Sequence, residues 1–194
     1  MSSAFSAHQA LHQQLAELDA SALTRRRRVQ SRPCGPATFS DGQPLLAFAS
    51  NDYLGLANAP ELIAAAQAGA ARWGVGSGAS ALVSGHTEAH ETLDHALARF
   101  VGCEAALGFS TGYLANLAVM PALLGRGDAI FADRLNHASL VDGALLSRAE
   151  LQRYAHLDLA MLEKQLAAST AKRKLIATDS VFSMDGDVAP LEAL

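Results

Sequence analysis

Lysine is almost missing from these 194 residues: Lys164, Lys172 and Lys174 are the only three. No side-chain ammonium stands before residue 164. The three themselves read as solvated surface, Lys164 beside Glu163 on a helical pattern and Lys172 and Lys174 flanking a basic run that enters a strand. Cysteine is nearly as scarce, with Cys34 and Cys103 alone, which excludes a disulfide framework and fits a reducing cytosol. No uncharged apolar stretch is long enough to cross a bilayer, and no basic start followed by an apolar run opens the chain, so a cytoplasmic location is expected. Basic charge is also short: a net charge of -4 provides no field for a polyanion, and nucleic acid is not an expected partner despite the run Arg25 to Arg28, which reads as a solvated helix end. What the chain does have is a 50% hydrophobic composition, enough to bury a real core in one globular body.

Leu11, Leu15, Leu18 and Ala22 recur at helical spacing and predict one amphipathic helix from about Ala4 to Arg27. Ser31 to Pro44 then carries five glycines and prolines, a density that predicts a linker with no regular element and places a boundary between an arm, residues 1–44, and a domain, residues 45–194. Beyond it, short apolar runs alternate with segments of 3.6-residue period, the pattern of a mainly parallel sheet flanked by helices, an α/β fold. Leu45 to Ala49, Ala105 to Phe109, Ala129 to Phe131, Leu151 to Tyr154 and Leu175 to Thr178 are the expected strands. Pro60 to Trp73, Thr87 to Val101, Tyr113 to Leu124, Ala138 to Leu146 and Leu159 to Ala168 are the expected helices, with Leu93, Ala96, Leu97 and Phe100 as the buried stripe of the second and Gly102 as its stop. Pro190 to Leu194 reads as the first turn of a further helix, so the chain is expected to stop inside its fold.

Three groups of residues carry possible chemistry. Ser110-Thr111-Gly112 before a helix can cap free N–H groups and attract an anion, although any strand-to-helix turn favours the same residues. His137 follows the Ala129 strand at the end where α/β folds place ligands, and it is either a catalytic imidazole or hydrogen-bonded loop surface. His86, His90 and His95 lie among Glu88, Glu91 and Asp94, but the spacing departs from the His-Glu-x-x-His order of zinc proteases, which favours a polar helix face over a metal site. Gly74-Val75-Gly76-Ser77-Gly78 follows a helical segment and lacks Gly-Lys-Ser/Thr, so it is no nucleotide loop; its glycines suit a tight backbone passage under a ligand or a partner subunit.

Four segments taken together resemble the α-oxoamine synthases: Ser50-Asn51-Asp52-Tyr53-Leu54-Gly55-Leu56, Gly108-Phe109-Ser110-Thr111-Gly112-Tyr113, Asn136-His137-Ala138-Ser139-Leu140 and Val181-Phe182-Ser183-Met184-Asp185-Gly186-Asp187. These are fold-type I pyridoxal-phosphate enzymes that condense an amino acid with an acyl thioester and release carbon dioxide. The likeness runs from Leu23-Thr24-Arg25 to Pro190-Leu191, and Phe182 to Asp187 is its most specific stretch. Within the family, Ser50 to Leu56 and Leu82-Val83-Ser84-Gly85 are closer to members that take L-alanine and a pimeloyl thioester of coenzyme A or of a carrier protein than to glycine-using relatives such as 2-amino-3-ketobutyrate CoA ligase.

The resemblance implies the N-terminal part of a fold-type I large domain, pyridoxal 5′-phosphate as cofactor and a homodimer with sites at the subunit interface. It implies that Gly112 and Tyr113 bind the phosphate through backbone, that His137 stacks on the pyridine ring and contacts substrate as the catalytic imidazole, and that Ser183 hydrogen-bonds the cofactor. Arg25 would face the acyl substrate, with Arg26 to Arg28 as alternative registers, and Asn51 would lie near the amino-acid carboxylate; no residue is implied as a metal ligand. Two departures touch the surroundings of the site: Asp179-Ser180 replaces the usual Glu-Gly, and Ala81 stands where many members carry Arg. The lysine that such enzymes join to the cofactor as a Schiff base, and the Asp that pairs with the pyridine nitrogen, do not occur up to Leu194. The chain alone is therefore expected to be inactive, as part of a longer synthase or, alternatively, as a lysine-free partner subunit.

Overall fold

The computed structural model describes residues 2–194, with side chains from residue 7 onward. Two compact units divide the chain, one ending at Gly78 and the other beginning at Ala79.

The first unit opens with α1, Ser2–Ala20. The helix stops well short of Arg27, because Ala22 turns left-handed at φ 56° and the Leu23 N–H bonds back to the Leu18 carbonyl at 2.8 Å, the crossed closure that ends helices. Leu11, Leu15 and Leu18 form the expected stripe but are exposed. Strands β1, Ala37–Ser40, and β2, Gln43–Leu46, then make an antiparallel hairpin. This corrects the reading of Ser31 to Pro44 as a stretch without regular structure and of Leu45 to Ala49 as an opening strand. Asp41 and Gly42 both take positive φ, 50° and 78°, the two-residue turn whose twist suits a hairpin. Ser40 faces Gln43 next to the turn, so Pro44 falls opposite Phe39 at a pair that exchanges no backbone bonds, where a missing N–H costs nothing. Helix α2, Pro60–Trp73, starts with Pro at its first turn and ends at Gly74, φ 78°.

The second unit begins with a single π-helical turn, Ala81–Gly85, closed by the Gly85 N–H on the Ser80 carbonyl at 2.9 Å. A Cβ at Gly85 would overlap the Ala79 carbonyl oxygen, so only glycine fits. Helix α3, Glu88–Val101, is capped by Thr87 and stopped by Gly102 in the left-handed conformation. Its expected buried stripe is not buried: Leu93, Leu97 and Phe100 are exposed, and Ala98 is the residue that goes inside. Periodicity marks a face that can be covered, and the elements of this unit do not cover that face. Ala105 to Phe109 likewise forms no strand among the described residues, since a strand exists only by pairing and this run pairs with neither the hairpin nor the three-stranded sheet. The Gly108 N–H bonds to Asp94 Oδ1 at 2.9 Å instead.

The centre of this unit is a parallel sheet in the order β4–β3–β5: β3 is Ala129–Asp133, β4 is Glu150–Tyr154 and β5 is Lys174–Ala177. Helices α4, Gly112–Leu123, α5, Ala138–Ser147, and α6, Leu159–Ala168, match their sequence expectations within a residue or two. Every residue of β3 is buried. Ile130 and Ala132 pack with Met120, Leu124 and Ala144 of the α4–α5 layer, while Ala129 and Phe131 pack with Leu162 of α6 and with Tyr154. The continuous apolar run is what a strand covered on both faces requires. Pro190 to Leu194 forms a turn, with the Ala193 N–H on the Pro190 carbonyl at 2.9 Å, and no helix.

Gly143 lets α5 approach α4: a Cβ there would stand 2.5 Å from the Asn116 carbonyl oxygen and 3.2 Å from Met120 Cγ. Gly143→Ala is therefore expected to destabilise the fold by about 1–3 kcal/mol, the usual cost of overpacking. A denaturant midpoint equal to that of the parent would show that the two helices part without cost.

Candidate active site

Parallel strands send their C-terminal ends to one edge of the sheet, and here the loops after β3 and β5 gather polar side chains at that edge. β3 ends in Asp133, fully buried, whose Oδ1 accepts the Leu135 N–H at 2.8 Å and whose Oδ2 accepts the Leu157 N–H at 2.9 Å. His156 Nδ1 stands 2.9 Å from Oδ1. Burial alone pushes this carboxyl up, but the two backbone donors and the imidazole outweigh burial and hold its pKa below the ordinary carboxylate value.

The loop that Asp133 organises delivers His137, which is also the N-cap of α5. The Ser139 N–H and hydroxyl both reach His137 Nδ1, at 3.2 and 2.7 Å, and Asn116 Nδ2 donates to Ser139 Oγ at 2.9 Å. With its oxygen accepting from Asn116, the Ser139 hydroxyl turns its proton to Nδ1, so the ring proton of His137 sits on Nε2. The backbone of His137 is fixed too, its N–H donating to Asp179 Oδ2 at 2.7 Å, while the Asp179 N–H bonds to Asn136 Oδ1 at 3.2 Å and Asn136 Nδ2 to the Ala177 carbonyl at 2.7 Å. Asp179, noted in the sequence only as a departure, thus ties the His137 loop to the end of β5.

Past β5 the chain makes a tight turn: Val181 bridges Val188, the Phe182 N–H bonds to the Asp187 carbonyl at 2.8 Å, and Gly186 takes φ 78°. Its tip places Ser183, Met184 and Asp185 in one cleft with Leu135, His137 and Asp179, about 120 Å³ in volume. His137 and Ser183 are thereby brought together. Gly112 and Tyr113 do not line that cleft; they begin α4, where Thr111 Oγ1 accepts the Leu114 N–H at 3.1 Å. Nothing stands within 4 Å of a Cβ at Gly112, so a group can approach the first-turn N–H donors closely. The Tyr113 hydroxyl donates to Asp142 Oδ2 of α5, and this bond, with burial and the carboxylate charge, raises the phenol pKa.

Arg25 and Asn51 belong to the first unit and are exposed there, Asn51 taking the Tyr53 hydroxyl at 3.5 Å. A larger hollow of about 590 Å³ in that unit is lined by Arg28, Arg32, Cys34 and Phe48 among others; of the four consecutive arginines, Arg28 is the one that reaches it. Size does not make it the chemical site, since its lining includes no histidine and no carboxylate. The histidines of α3 and His86 just before it are engaged locally: Glu91 pairs with His86 at 2.8 Å and with His95 at 3.3 Å, and His90 Nδ1 completes the Thr87 cap. Among the described residues no group of three or more metal-ligating side chains converges. Lys164, Lys172 and Lys174 are exposed, and Lys174 Nζ donates to the Leu166 carbonyl at 2.7 Å.

The fold agrees with comparison to known proteins. Residues 43–194 match the aminotransferase class I and II family, and the chain belongs to it. The chain is 67% identical to an 8-amino-7-oxononanoate synthase of Aromatoleum aromaticum over 93% of its own length and 47% of that protein's. The corresponding enzyme of Herminiimonas arsenicoxydans is 64% identical over the same shares. Among solved structures, a lysine-to-alanine variant of serine palmitoyltransferase of S. paucimobilis, with a PLP–myriocin aldimine bound, superposes with a TM-score of 0.87 at 30% identity over 97% of this chain and 48% of that one. The 8-amino-7-oxononanoate synthase of Francisella tularensis gives 0.63 at 35% identity over 75% and 40%. By TM-score the serine palmitoyltransferase lies nearer than the Francisella enzyme, whereas sequence identity is higher to the oxononanoate synthases. The chain spans about half the length of the curated relatives it matches.

Proposed function

We propose that this chain is the N-terminal part of an 8-amino-7-oxononanoate synthase, a pyridoxal-phosphate acyltransferase that condenses L-alanine with a pimeloyl thioester, of coenzyme A or a carrier protein, in biotin synthesis. The observation that carries the reading is the convergence of His137 and Ser183 in one cleft at the strand ends, in a chain 67% identical to a protein of that name. The residues fit the cofactor: a flat imidazole and a hydroxyl share the cleft, and an uncrowded glycine opens a capped helix. Gly112 and Tyr113 would hold the phosphate through their N–H groups, His137 would lie on the pyridine ring with Nε2–H available to substrate, and Ser183 would hydrogen-bond the ring substituents. When bound, pyridoxal phosphate supplies the electron sink for loss of a proton or carbon dioxide beside an amino group.

Arg25, or another of the run to Arg28, would meet the acyl substrate, and Asn51 the amino-acid carboxylate, with residues 1–44 as an arm to the transferase domain that follows. The same reading makes the protein a cytoplasmic homodimer; no described helix is long and apolar enough to cross a membrane.

The test uses the full-length protein that contains this chain. Purified and loaded with pyridoxal phosphate, it is expected to release carbon dioxide from L-alanine only when a pimeloyl thioester is present. Borohydride reduction followed by peptide mapping is expected to find the pyridoxyl label on a lysine outside residues 1–194. A stoichiometric label on Lys164, Lys172 or Lys174 would overturn the assignment of residues.

A further inference from the structure

His156 lies beside the cleft and touches both of its walls. It follows β4, and its two ring nitrogens face two carboxylates: Nδ1 is 2.9 Å from Asp133 Oδ1 and Nε2 is 3.1 Å from Asp187 Oδ2. A neutral imidazole has one N–H and one lone pair, so only the doubly protonated ring donates to both. The ring also meets Phe182 edge to face, centroids 4.4 Å apart at 86°. Asp133 belongs to the wall that carries His137, because its carboxylate takes the Leu135 N–H and its carbonyl the Asn136 N–H at 3.2 Å. Phe182 and Asp187 are the two ends of the turn that carries Ser183, joined by their own backbone bond at 2.8 Å. One side chain therefore spans from the His137 loop to the Ser183 turn.

We propose that His156, as an imidazolium, is a positioning residue that fixes the Ser183 turn against the loop bearing His137, and that retention of pyridoxal phosphate in the cleft depends on this clamp. The identity of the ligand rests on the function proposed above; the clamp itself does not.

The charges acting on the ring are those of Asp133, from β3, and Asp187, from the turn. Other charged groups nearby in the chain are engaged elsewhere. Arg153 of β4 donates to the Arg134 carbonyl, Asp158 caps α6 through the Met161 N–H at 2.9 Å, Asp179 after β5 takes the His137 N–H, and Asp185 lines the cleft. The hydrogen bond to Asp133 raises the His156 pKa, partial burial opposes it, and the bond to Asp187 adds to the rise, with a net increase. A group raised on folding contributes fully below its ordinary value, about 6.5 for imidazole, and its contribution is lost as pH climbs through the raised value. The clamp is therefore closed below about pH 6.5 and opens as pH climbs through the raised value.

Two measurements on the full-length protein separate clamp from ligand. In the cofactor-free protein, nitrogen-15 spectra of the histidine rings are expected to show both His156 nitrogens protonated at about pH 6, with the proton lost above the ordinary imidazole value. Amide exchange across residues 182–187 is expected to accelerate as that ring loses its proton. Equilibrium dialysis with pyridoxal phosphate is expected to give a dissociation constant about tenfold weaker in His156→Gln, with the alkaline loss of affinity seen in the parent flattened in the variant. Asp187→Asn, at an exposed turn, should reproduce that pattern and serves if the glutamine protein does not fold. A His156→Gln protein that melts earlier but keeps the parental dissociation constant and pH profile overturns the positioning role, as does a neutral ring at about pH 6. A titrating clamp in a parent protein that binds no pyridoxal phosphate overturns the ligand reading and leaves the clamp standing.

Discussion

His137→Phe, made in the full-length protein, is expected to lower turnover by about two orders of magnitude while pyridoxal phosphate is still held. Phenylalanine keeps a flat face in the cleft but removes Nε2–H, the donor that the Asn116–Ser139 chain of hydrogen bonds sets up. It also removes the N-cap of α5, at a cost of about 1 kcal/mol, because the Ser139 N–H loses its acceptor at Nδ1. His137→Asn makes the complementary change: asparagine caps well but offers no ring. The expected pattern is a small loss of thermal stability with a bound cofactor for Phe, and near-parental stability with weaker cofactor binding for Asn. Both should turn over L-alanine and pimeloyl thioester slowly. Parental turnover in the Phe variant would reduce His137 to a capping residue.

Asp133→Ala is expected to cost about 3–5 kcal/mol, since it leaves the part-buried hydrogen bonds of the Leu135 and Leu157 N–H groups without an acceptor and His156 with one carboxylate in place of two. Urea unfolding of the full-length protein at neutral pH reads this as a shift of midpoint at constant slope. The parent adds a pH signature. A carboxyl held below its ordinary value stabilises the fold above about pH 4, and that contribution is lost as pH falls through the lower, folded value. The acid side of the stability profile should accordingly be shallower in the variant. A loss under about 1 kcal/mol with an unchanged acid limb would mean that the loops find other acceptors.

The β3–α5–β4–α6–β5 run was legible because each of its elements is specified locally. Apolar runs of strand length alternate with helical periods, and polar caps such as Thr111 and Asp158 begin the helices. Prediction failed where an element depends on what lies beside it. Ala105 to Phe109 reads as a strand by composition, yet pairing is what makes a strand. Leu93, Leu97 and Phe100 read as a buried stripe, yet periodicity specifies a face and not its cover. The hairpin is hidden for a different reason: Asp41-Gly42 is itself a hairpin signal, but it stands among prolines and glycines that together read as breakers.

In the site, His137 and Ser183 were visible because they sit in distinctive segments. Asp133 and His156 were not, and Asp187 was visible only as the end of its segment, because residues 23 and 31 positions apart become neighbours only through the sheet and the turn. Asp179 was visible as an oddity of its segment; that it receives the His137 N–H is a tertiary fact.

The strand order also sets a sequence of events as the chain leaves the ribosome. β3 pairs with β4 from Ala129 to Glu150, a closure of 21 residues, and with β5 from Ala129 to Lys174, a closure of 45. The longer closure costs about 0.7 kcal/mol more chain entropy and must wait for later synthesis. The β3–α5–β4 unit, with the His137 loop on it, can therefore form while β5 is still being made. The Ser183 turn arrives last, carried on the strand that docks onto β3. A nascent chain thus has its imidazole wall early and its hydroxyl wall late, and the cleft first exists as a binding place when β5 is in register.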